Sequence, residues 1–435
     1  MVEAFAAQPT ASVPQATGKW AATKAAYNFW DSERVEPEAI RGAHRDSTVV
    51  RLVGQKTILA VQDTTDPRFA RRSEAEGSEG SGSVGMKVHS ALCVSMEGVP
   101  LGVVHQQVWV RGSEELGKAK RRRQLATKDK ESQRWLDTLD GTLGAIPKPI
   151  EVITVADREA DIYDLFARER RNGAGLLIRA THDRKVSGLG AEATYLWGAI
   201  QEVGPAGTIS VEIGRRQDTP ARTAILTVRH TRVEIQPPRH HKARAGLKPI
   251  PLRVVLAREE EPPSGVEPIC WLLLTTLAVE NLGHAAQCLR WYSYRWLIER
   301  YHFVLKSGCT LESLQLETKE RLERALATYS IVAWRLLWLT YEARRTPKAS
   351  CDQVLAPHEW QSLYCTTHQV ATPPAQAPTL RDAVRWIAQL GGFLARKHDG
   401  EPGAKTIWRG LTRLHDIANT WLLLNPSPLP TTTYG

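Results

Sequence analysis

The sequence predicts an α/β fold in which a β-rich insertion interrupts the core and a helical region follows. Three observations support this prediction. Apolar runs of strand length recur between residues 57 and 180, β-branched stretches alternate with basic turns over residues 186–270, and the pattern from residue 280 onward is mostly helical. Strands mixed with helices, then strands alone, then helices indicate an α/β core that carries an inserted β segment.

The composition limits the location and the partners that we expect. The chain has 435 residues, enough for two or three folding units. No apolar run reaches the roughly 18 uninterrupted residues of a membrane span, and we expect neither a secretory signal nor a membrane partner. Six scattered cysteines without a C-x-x-C pair argue against a disulfide framework or a zinc site and favour the cytoplasm. The net charge of +10 favours a polyanionic partner.

The elements of the core follow in order. A helix-rich stretch precedes the first predicted strand at residues 57–61, and a loop rich in Gly, Ser and Glu is predicted at residues 71–85. Further strands are predicted at residues 86–94, 101–110, 150–155 and 176–180, and a helix at residues 160–170. The basic run KAKRRR at residues 118–123 fits a solvated loop as well as a phosphate site.

The insertion and the helical region complete the pattern. Strands are predicted at residues 208–213 and 224–228, and an exposed basic loop at residues 237–251. A Pro-rich break at residues 372–378 precedes the final amphipathic helices. No internal repeat accompanies these elements.

Two aspartates close predicted strands. Asp63 follows the run at residues 58–62, and Asp157 follows the run at residues 152–156. Such positions place carboxylates at the rim of an α/β sheet, where ligands collect. Two carboxylates brought together there repel each other unless a cation lies between them, and their hard oxygens suit Mg²⁺. From the pattern alone, a turn or N-cap role for each aspartate is the more common explanation.

The stretch at residues 291–306 is predicted to form one helix with a polar stripe. At 100° per residue, Tyr292, Arg295, Glu299 and Lys306 fall within about 60° of one another. A face that handles phosphates needs this mixture, because a carboxylate holds metal and cations hold the backbone. An ordinary i,i+4 ion pair on a solvated face is the alternative explanation. Three apolar residues outside the stripe are expected to pack inward: Leu297, Phe303 and Val304.

These residues resemble those of a known family. The spacing Y-x₂-R-x₃-E-x₆-K of the stripe is similar to the YREK motif of the insertion-sequence-four family of bacterial DDE transposases. Asp63 in VQDTTD and Asp157 in VADREADIYDLF resemble the two catalytic aspartates of that family. The similarity extends from about residue 27 to residue 423, through MKVHSALCV, LGVVHQQVWVR, KDKESQRW, WLLLTT and LGGFLARK.

The resemblance implies a fold and an activity. The fold would be RNase H-like, a mixed sheet flanked by helices, with a β-strand insertion before the last catalytic helix. The activity would be cut-and-paste transposition, in which the enzyme cleaves the ends of a mobile element and joins their 3′-OH groups to target DNA. Asp63, Asp157 and Glu299 would be catalytic and would hold two Mg²⁺ ions, for which Mn²⁺ can substitute. Water and then the freed 3′-OH would be the nucleophiles.

The resemblance also implies DNA-binding residues. In related members of the family the 3′-OH attacks the opposite strand to form a hairpin, and a tryptophan stacks on a base that leaves the helix. Trp271, 21 residues before Tyr292, occupies the matching place, although it is also an ordinary residue of the apolar run WLLL. His302 lies near the stripe, and a structural role explains it equally well. Four residues are expected to contact phosphates near the cut: Tyr292, Arg295, Lys306 and Arg179.

The resemblance divides the chain into five regions. These are a shortened DNA-end-binding region (1–50), the first part of the catalytic core (51–185), the β-rich insertion (186–280), the last core helices (281–345) and a helical dimerisation region (346–435). Family members carry roughly thirty further residues before the segment that matches residue 27, so we expect weak preference for the element's ends. The implied partners are double-stranded DNA with terminal inverted repeats, target DNA and a second copy of the chain, in a nucleoid-associated bacterial protein.

Two other functions are compatible with parts of the sequence. A non-catalytic regulator that pairs with full-length transposase and inhibits it would keep the same catalytic residues. A carboxylate hydrolase such as a glycosidase could use Asp63 and Glu299, but it would explain neither the cations of the stripe nor the basic charge. Inverted repeats beside the gene and an open frame upstream of Met1 would distinguish the transposase from the regulator.

Overall fold

The computed structural model describes residues 1–69, 84–110, 130–188, 191–213, 221–239 and 246–425. The basic run at residues 118–123 lies outside this set, as do nearly all of the loop predicted at residues 71–85 and the middle of the basic loop predicted at residues 237–251. Within the described ranges, no helix is long and apolar enough to cross a membrane.

The N-terminal stretch is helical, as predicted. It comprises α1 (Val2–Ala7), α2 (Val13–Thr17), α3 (Trp20–Asp31) and α4 (Pro37–Arg51). These helices pack on a long C-terminal helix, where Trp30 donates a hydrogen bond from Nε1 to Thr328 Oγ1 at 3.2 Å. The Arg324 guanidinium donates to the backbone carbonyls of Trp30 and Val35. The N-terminal helices are therefore part of the main core.

The first half of the core is a mixed sheet. Its strands are β1 (Thr57–Thr65), β2 (Arg68–Phe69), β3 (Val84–Val94), β4 (Pro100–Val110), β5 (Glu151–Ala156) and β6 (Ala174–Arg179), accompanied by helices α5 (Gln133–Ala145) and α6 (Tyr163–Ala167). The spatial order is β4-β3-β1-β5-β6, with β3 antiparallel to β1 and β4, and with β1, β5 and β6 parallel to one another. This topology is RNase H-like, as the resemblance implied.

The β-rich insertion extends this sheet. It contains β7 (Lys185–Gly188), β8 (Ala191–Tyr195), α7 (Leu196–Gln201), β9 (Gly207–Ile213), β10 (Arg222–Ile235), β11 (Ile250–Arg258) and β12 (Cys270–Thr275). Strand β12 pairs antiparallel with β6, and β11, β10 and β7 follow outward, so that the described strands form one 12-stranded sheet. Pairing with β12 gives the outer edge of β6 the hydrogen-bonding partners that an edge strand lacks.

The C-terminal region is helical, as predicted. It comprises α8 (Leu282–Ser293), α9 (Trp296–Phe303), a π-helical turn (Val304–Gly308), α10 (Lys319–Arg345), α11 (Pro357–His368), α12 (Leu380–Leu390) and α13 (Ala404–Leu424). Helices α8 to α10 cover the face of the sheet that bears Val61 and Val155, whereas α5 to α7 pack with the face that bears Ala156 and Ile178.

Three local predictions were wrong. The single helix predicted at residues 291–306 is broken, because the backbone N–H groups of Tyr294 and Arg295 bond three residues back instead of four. Phe303 is half-exposed against Trp408 and does not pack inward, because at 100° per residue it lies only about 40° from Glu299, on the same side of the helix as the polar stripe. The helix predicted at residues 160–170 is reduced to a 3₁₀ turn (Arg158–Ala160) and the short α6.

Candidate active site

The parallel pairing of β1 and β5 brings Asp63 and Asp157 to the same edge of the sheet. Val61 lies opposite Val155 in the register, and each aspartate is two residues further along its strand on the same face. Asp157 directly follows β5, as predicted. Asp63 does not close β1, because pairing with β3 continues to Thr65.

Asp63 and the two carboxylates whose charges act on it, Asp157 and Glu299, form an acidic cluster. The Asp63 side chain is 18% exposed, and burial is the main reason that its pKa rises to about 7. The negative charges of Asp157 and Glu299 raise this pKa further, whereas a hydrogen bond from the Thr64 backbone and the charge of Arg295 lower it. The three predicted catalytic carboxylates therefore share one electrostatic environment, although they come from three distant segments.

Arg295 connects this cluster to α9. It lies at the break between α8 and α9, and its Nη1 is 2.5 Å from Glu299 Oε1. Burial lowers the pKa of Arg295, but Tyr292, Glu299 and Asp63 together raise it above its ordinary value. The guanidinium is thus a fixed positive charge inside the acidic cluster.

An aromatic and basic group adjoins the carboxylates. Trp271 on β12 contacts Tyr292 edge to face, with 5.7 Å between ring centroids. Burial raises the pKa of the Tyr292 hydroxyl, the nearby charges of Arg295 and Arg179 lower it, and Asp157 raises it. Arg179 at the end of β6 also donates from Nη2 to the Cys270 carbonyl at 2.9 Å. The structure therefore brings together four of the five predicted DNA-binding residues.

The fifth residue, Lys306, is linked to the cluster through His302. Lys306 lies in the π-helical turn after α9, and its charge, after burial, contributes to lowering the pKa of His302 to about 3. His302 Nδ1 is 3.9 Å from Asp63 Oδ2. His302 is therefore a neutral, buried neighbour of Asp63 at physiological pH, an arrangement that the pattern left undecided.

One neighbour of both aspartate-bearing segments, Arg134, was not predicted from the sequence. Arg134 on α5 contacts Thr64 beside Asp63 and Glu159 beside Asp157. Only the similarity of the segment KDKESQRW to the family pointed to this part of the chain, and periodicity gave no signal. A cavity of about 650 Å³ lies at the opposite ends of β1 and β5, beside Thr57 and Glu151, and is separate from the acidic cluster.

The carboxylates suit a divalent cation chemically. Asp63, Asp157 and Glu299 offer hard oxygen donors, and burial together with the charges of the other two carboxylates raises the pKa of Asp63. Among the described residues, no three acidic, histidine or cysteine side chains are grouped as a complete metal site. Glu299 is instead paired with Arg295. Asp63 and Asp157 therefore offer the oxygen donors that suit a hard cation, whereas Glu299 would have to share its carboxylate with Arg295.

Comparison with known families adds three matches. A model described as a transposase DDE domain matches residues 45–335, about two thirds of the chain and the whole of the cluster. A model described as transposase DNA-binding matches residues 1–35. A model described as the transposase Tn5 dimerisation domain matches residues 331–420.

Proposed function

Because the chain belongs to the transposase DDE family, we propose that it excises a mobile element and joins the element's 3′ ends to target DNA. The family assignment establishes an enzyme that acts on DNA, with a DNA-binding segment and a dimerisation region. Within this family, the YREK spacing favours the insertion-sequence-four type and a similarity to the transposase of the kanamycin-resistance composite transposon.

The observation that carries the proposal is the parallel pairing of β1 with β5, which brings Asp63 and Asp157 to one edge of the sheet, where the charge of Glu299 also acts on Asp63. These residues would hold the divalent metal ions that DDE transposases generally use; we propose two Mg²⁺ ions, replaceable by Mn²⁺. When bound, the ions would activate the attacking oxygen and stabilise the leaving 3′ oxygen. An ionised Asp63 is required for this, and Arg295 favours the ionised form.

The cationic residues would position the DNA. Arg295, Lys306 and Arg179 come from different segments, and their charges act on residues of the acidic cluster or on its neighbours Tyr292 and His302, so they would bind phosphates near the scissile bond. The hydroxyl of Tyr292 would donate to a phosphate oxygen. Trp271, at the rim beside Tyr292, would stack on a base displaced during hairpin formation.

The test is cleavage of DNA that carries the inverted repeats flanking the gene. Replacement of Asp63, Asp157 or Glu299 by Ala should lower the rate of metal-dependent cleavage at least about a thousandfold, because each substitution removes an oxygen ligand of the metal. DNA binding should persist, because cations hold the phosphates. An E299A protein that still nicks at a near wild-type rate would refute the assignment.

The same assay distinguishes the inhibitory regulator. A regulator would bind DNA and form mixed dimers with an active transposase, but the wild-type chain would not cleave at any metal concentration. Cleavage by the wild-type chain, lost in D63A, supports the enzyme. If the chain binds the inverted repeats no more tightly than scrambled DNA, the result would agree with the weak end preference expected from the sequence.

A further inference from the structure

Arg134 is bound to both aspartate-bearing segments. It lies in the first turn of α5, and its side chain is only 12% exposed. Its Nε donates to Thr64 Oγ1 at 3.0 Å, and its Nη2 donates to Glu159 Oε2 at 2.5 Å. Its Nη1 donates to the Glu131 carbonyl at 2.8 Å. Every nitrogen of this guanidinium therefore has a defined partner.

The two partners of Arg134 hold the two aspartates by the same kind of bond. The Thr64 backbone N–H donates to Asp63 Oδ1 at 2.8 Å. The Glu159 backbone N–H donates to Asp157 Oδ1 at 2.9 Å. In each case one oxygen of the aspartate accepts from the backbone of a residue whose side chain is fixed by Arg134. The separation of β1 and β5 at this edge is thus spanned by one side chain.

The guanidinium acts from the face of the sheet opposite to α9. Thr64 and Asp63 are consecutive in β1, so their side chains point to opposite faces. Thr64 also bonds His89 Nδ1 at 2.9 Å, and the His89 ring contacts Trp135 edge to face on the α5 side. The Thr64 hydroxyl accepts a hydrogen bond from Arg134, so its own proton is available to donate to His89. These two bonds together fix the rotamer of Thr64. Arg134 therefore need not touch DNA or metal to influence the acidic cluster.

We propose that Arg134 is a positioning residue that holds Asp63 and Asp157 at the separation required to bind a divalent cation. The proposal rests on the metal-binding role given above to these aspartates. Groups that orient metal ligands without touching the metal commonly change metal affinity by about 10–100-fold when removed. A planar guanidinium suits this task, because its nitrogens point in fixed directions, whereas a lysine ammonium is a single flexible point.

The structure offers a matched control for a merely structural role. Gln107 on β4 also joins the sheet to α5, since its Nε2 donates to the Arg134 carbonyl at 3.2 Å and to Thr138 Oγ1 at 2.8 Å. This connection reaches neither aspartate. Gln107→Ala should therefore remove one contact between the sheet and α5 while the side chain of Arg134 keeps its bonds to Thr64 and Glu159.

The experiment measures Mn²⁺ binding to the DNA-free protein from the electron paramagnetic resonance signal of the free ion. Arg134→Gln should weaken binding at least about tenfold, Arg134→Lys should restore little of it, and Gln107→Ala should bind within about twofold of wild type. Circular dichroism and thermal unfolding without metal identify any variant that fails to fold. Glu159→Gln supplies a second, milder break of the same connection, with a smaller loss of affinity.

A double-mutant cycle completes the test. If Arg134 acts through Glu159, the Arg134→Gln/Glu159→Gln protein should bind Mn²⁺ no more weakly than Arg134→Gln alone. Wild-type affinity in Arg134→Gln, or an equal loss in Gln107→Ala, would overturn the positioning role. Asp63→Ala separates the two proposals: if its loss of Mn²⁺ binding is clear while Arg134→Gln binds normally, only the positioning role fails. If Asp63→Ala binds like wild type, the metal site itself is refuted, and the positioning role with it.

Discussion

Arg295 and Glu299 form an ion pair of 2.5 Å between Nη1 and Oε1, across the start of α9. On a solvated helix such an i,i+4 pair would contribute only a few tenths of a kcal/mol. Here the Arg295 side chain is 11% exposed, and its charge also lowers the pKa of Asp63. The pair therefore restrains one predicted metal ligand while favouring the ionised form of another.

Replacing Arg295 should shift the pH dependence of metal binding upward. In Arg295→Gln the pKa of Asp63 should rise above about 7, because one of the two influences that lower it is removed. Protons would then compete with Mn²⁺ to a higher pH, and the midpoint of binding should move up by about half a unit or more. The measurement is Mn²⁺ affinity between about pH 6 and about pH 9. Arg300→Gln, an exposed change on the same helix, is the control; an unchanged or lower midpoint in Arg295→Gln would contradict the prediction.

Asp63 should destabilise the metal-free fold at neutral and alkaline pH. Its pKa is about 7 in the folded protein, above the ordinary value of 3.8. The unfolded chain therefore loses this proton first, so the free energy of unfolding falls as pH rises from about 4 to about 7 and stays low above that. Asp63→Asn should remove this loss and stabilise the metal-free protein at about pH 8, by an amount on the order of a few kcal/mol.

Urea unfolding checks this sign. The stability gained by Asp63→Asn should be larger at about pH 8 than at about pH 5. Added Mn²⁺ should stabilise wild type but not the variant, since ligands stabilise only the state that binds them. Asp416→Asn, a change at an exposed carboxyl on α13, should show no such difference. If Asp63→Asn gains the same stability at both pH values, the pKa of Asp63 is not raised in the folded protein.

The sequence predicted the strands that carry the aspartates but not the break near Glu299. Residues 291–306 contain neither Gly nor Pro, so no local signal marks the three-residue hydrogen bonds at Tyr294 and Arg295. Tertiary packing decides that geometry, because buried contacts override helix propensity. The stripe, although drawn on an unbroken helix, still grouped residues that influence one another, since Tyr292 and Glu299 both act on the pKa of Arg295 and Asp157 acts on that of Tyr292.

Pairing between strands that are distant in the sequence could not be predicted either. Strand β12 pairs with β6 and makes the insertion a continuation of the core sheet. This pairing depends on contacts between distant segments, which periodicity does not encode. The same applies to Arg134, whose partners Thr64 and Glu159 belong to separate strand ends. The family resemblance supplied the candidate catalytic residues, whereas the side chains that hold them became visible only in three dimensions.

Trp271 should matter for the second chemical step and not for the first. Trp271→Ala removes a base-stacking surface worth about 1–3 kcal/mol, and only hairpin formation needs a base held outside the helix. The first nick should proceed at a near wild-type rate while hairpin formation slows by about tenfold or more, and Trp271→Phe should recover part of that rate. A gel that resolves nicked, hairpin and double-cut products measures each step.

A buried strand residue would behave differently. Trp271 also packs on Tyr292, so a purely structural role would slow every step together. Trp197→Ala, at a partly buried tryptophan on α7 far from the cluster, reports the effect of a general loss of packing. Equal loss of nicking and hairpin formation in Trp271→Ala would assign Trp271 to folding.

The segment that matches the DNA-binding model is anchored on one side and exposed on the other. Phe5 stacks on Trp30 and Tyr329 at centroid distances of 5.7 and 5.1 Å. Trp20, which is 79% exposed, and Lys24 lie one turn apart on α3. Point substitutions at this exposed face are therefore better probes than truncation, which would remove Phe5 from the core.

Lys24 should contribute an ionic contact to a DNA phosphate, and Trp20 should contribute a contact to the DNA that involves no charge. Lys24→Ala should weaken binding to inverted-repeat and scrambled DNA alike and should reduce the slope of log K against log salt by about one, because one fewer counterion is released. Trp20→Ala should weaken binding without changing that slope, since no charge is lost. Competition shifts at several fixed salt concentrations measure both quantities. Lys19→Ala, at the residue preceding α3, tests whether any exposed lysine nearby has the same effect. An unchanged slope in Lys24→Ala would place the DNA on another face of residues 1–35, because loss of a phosphate contact necessarily reduces counterion release.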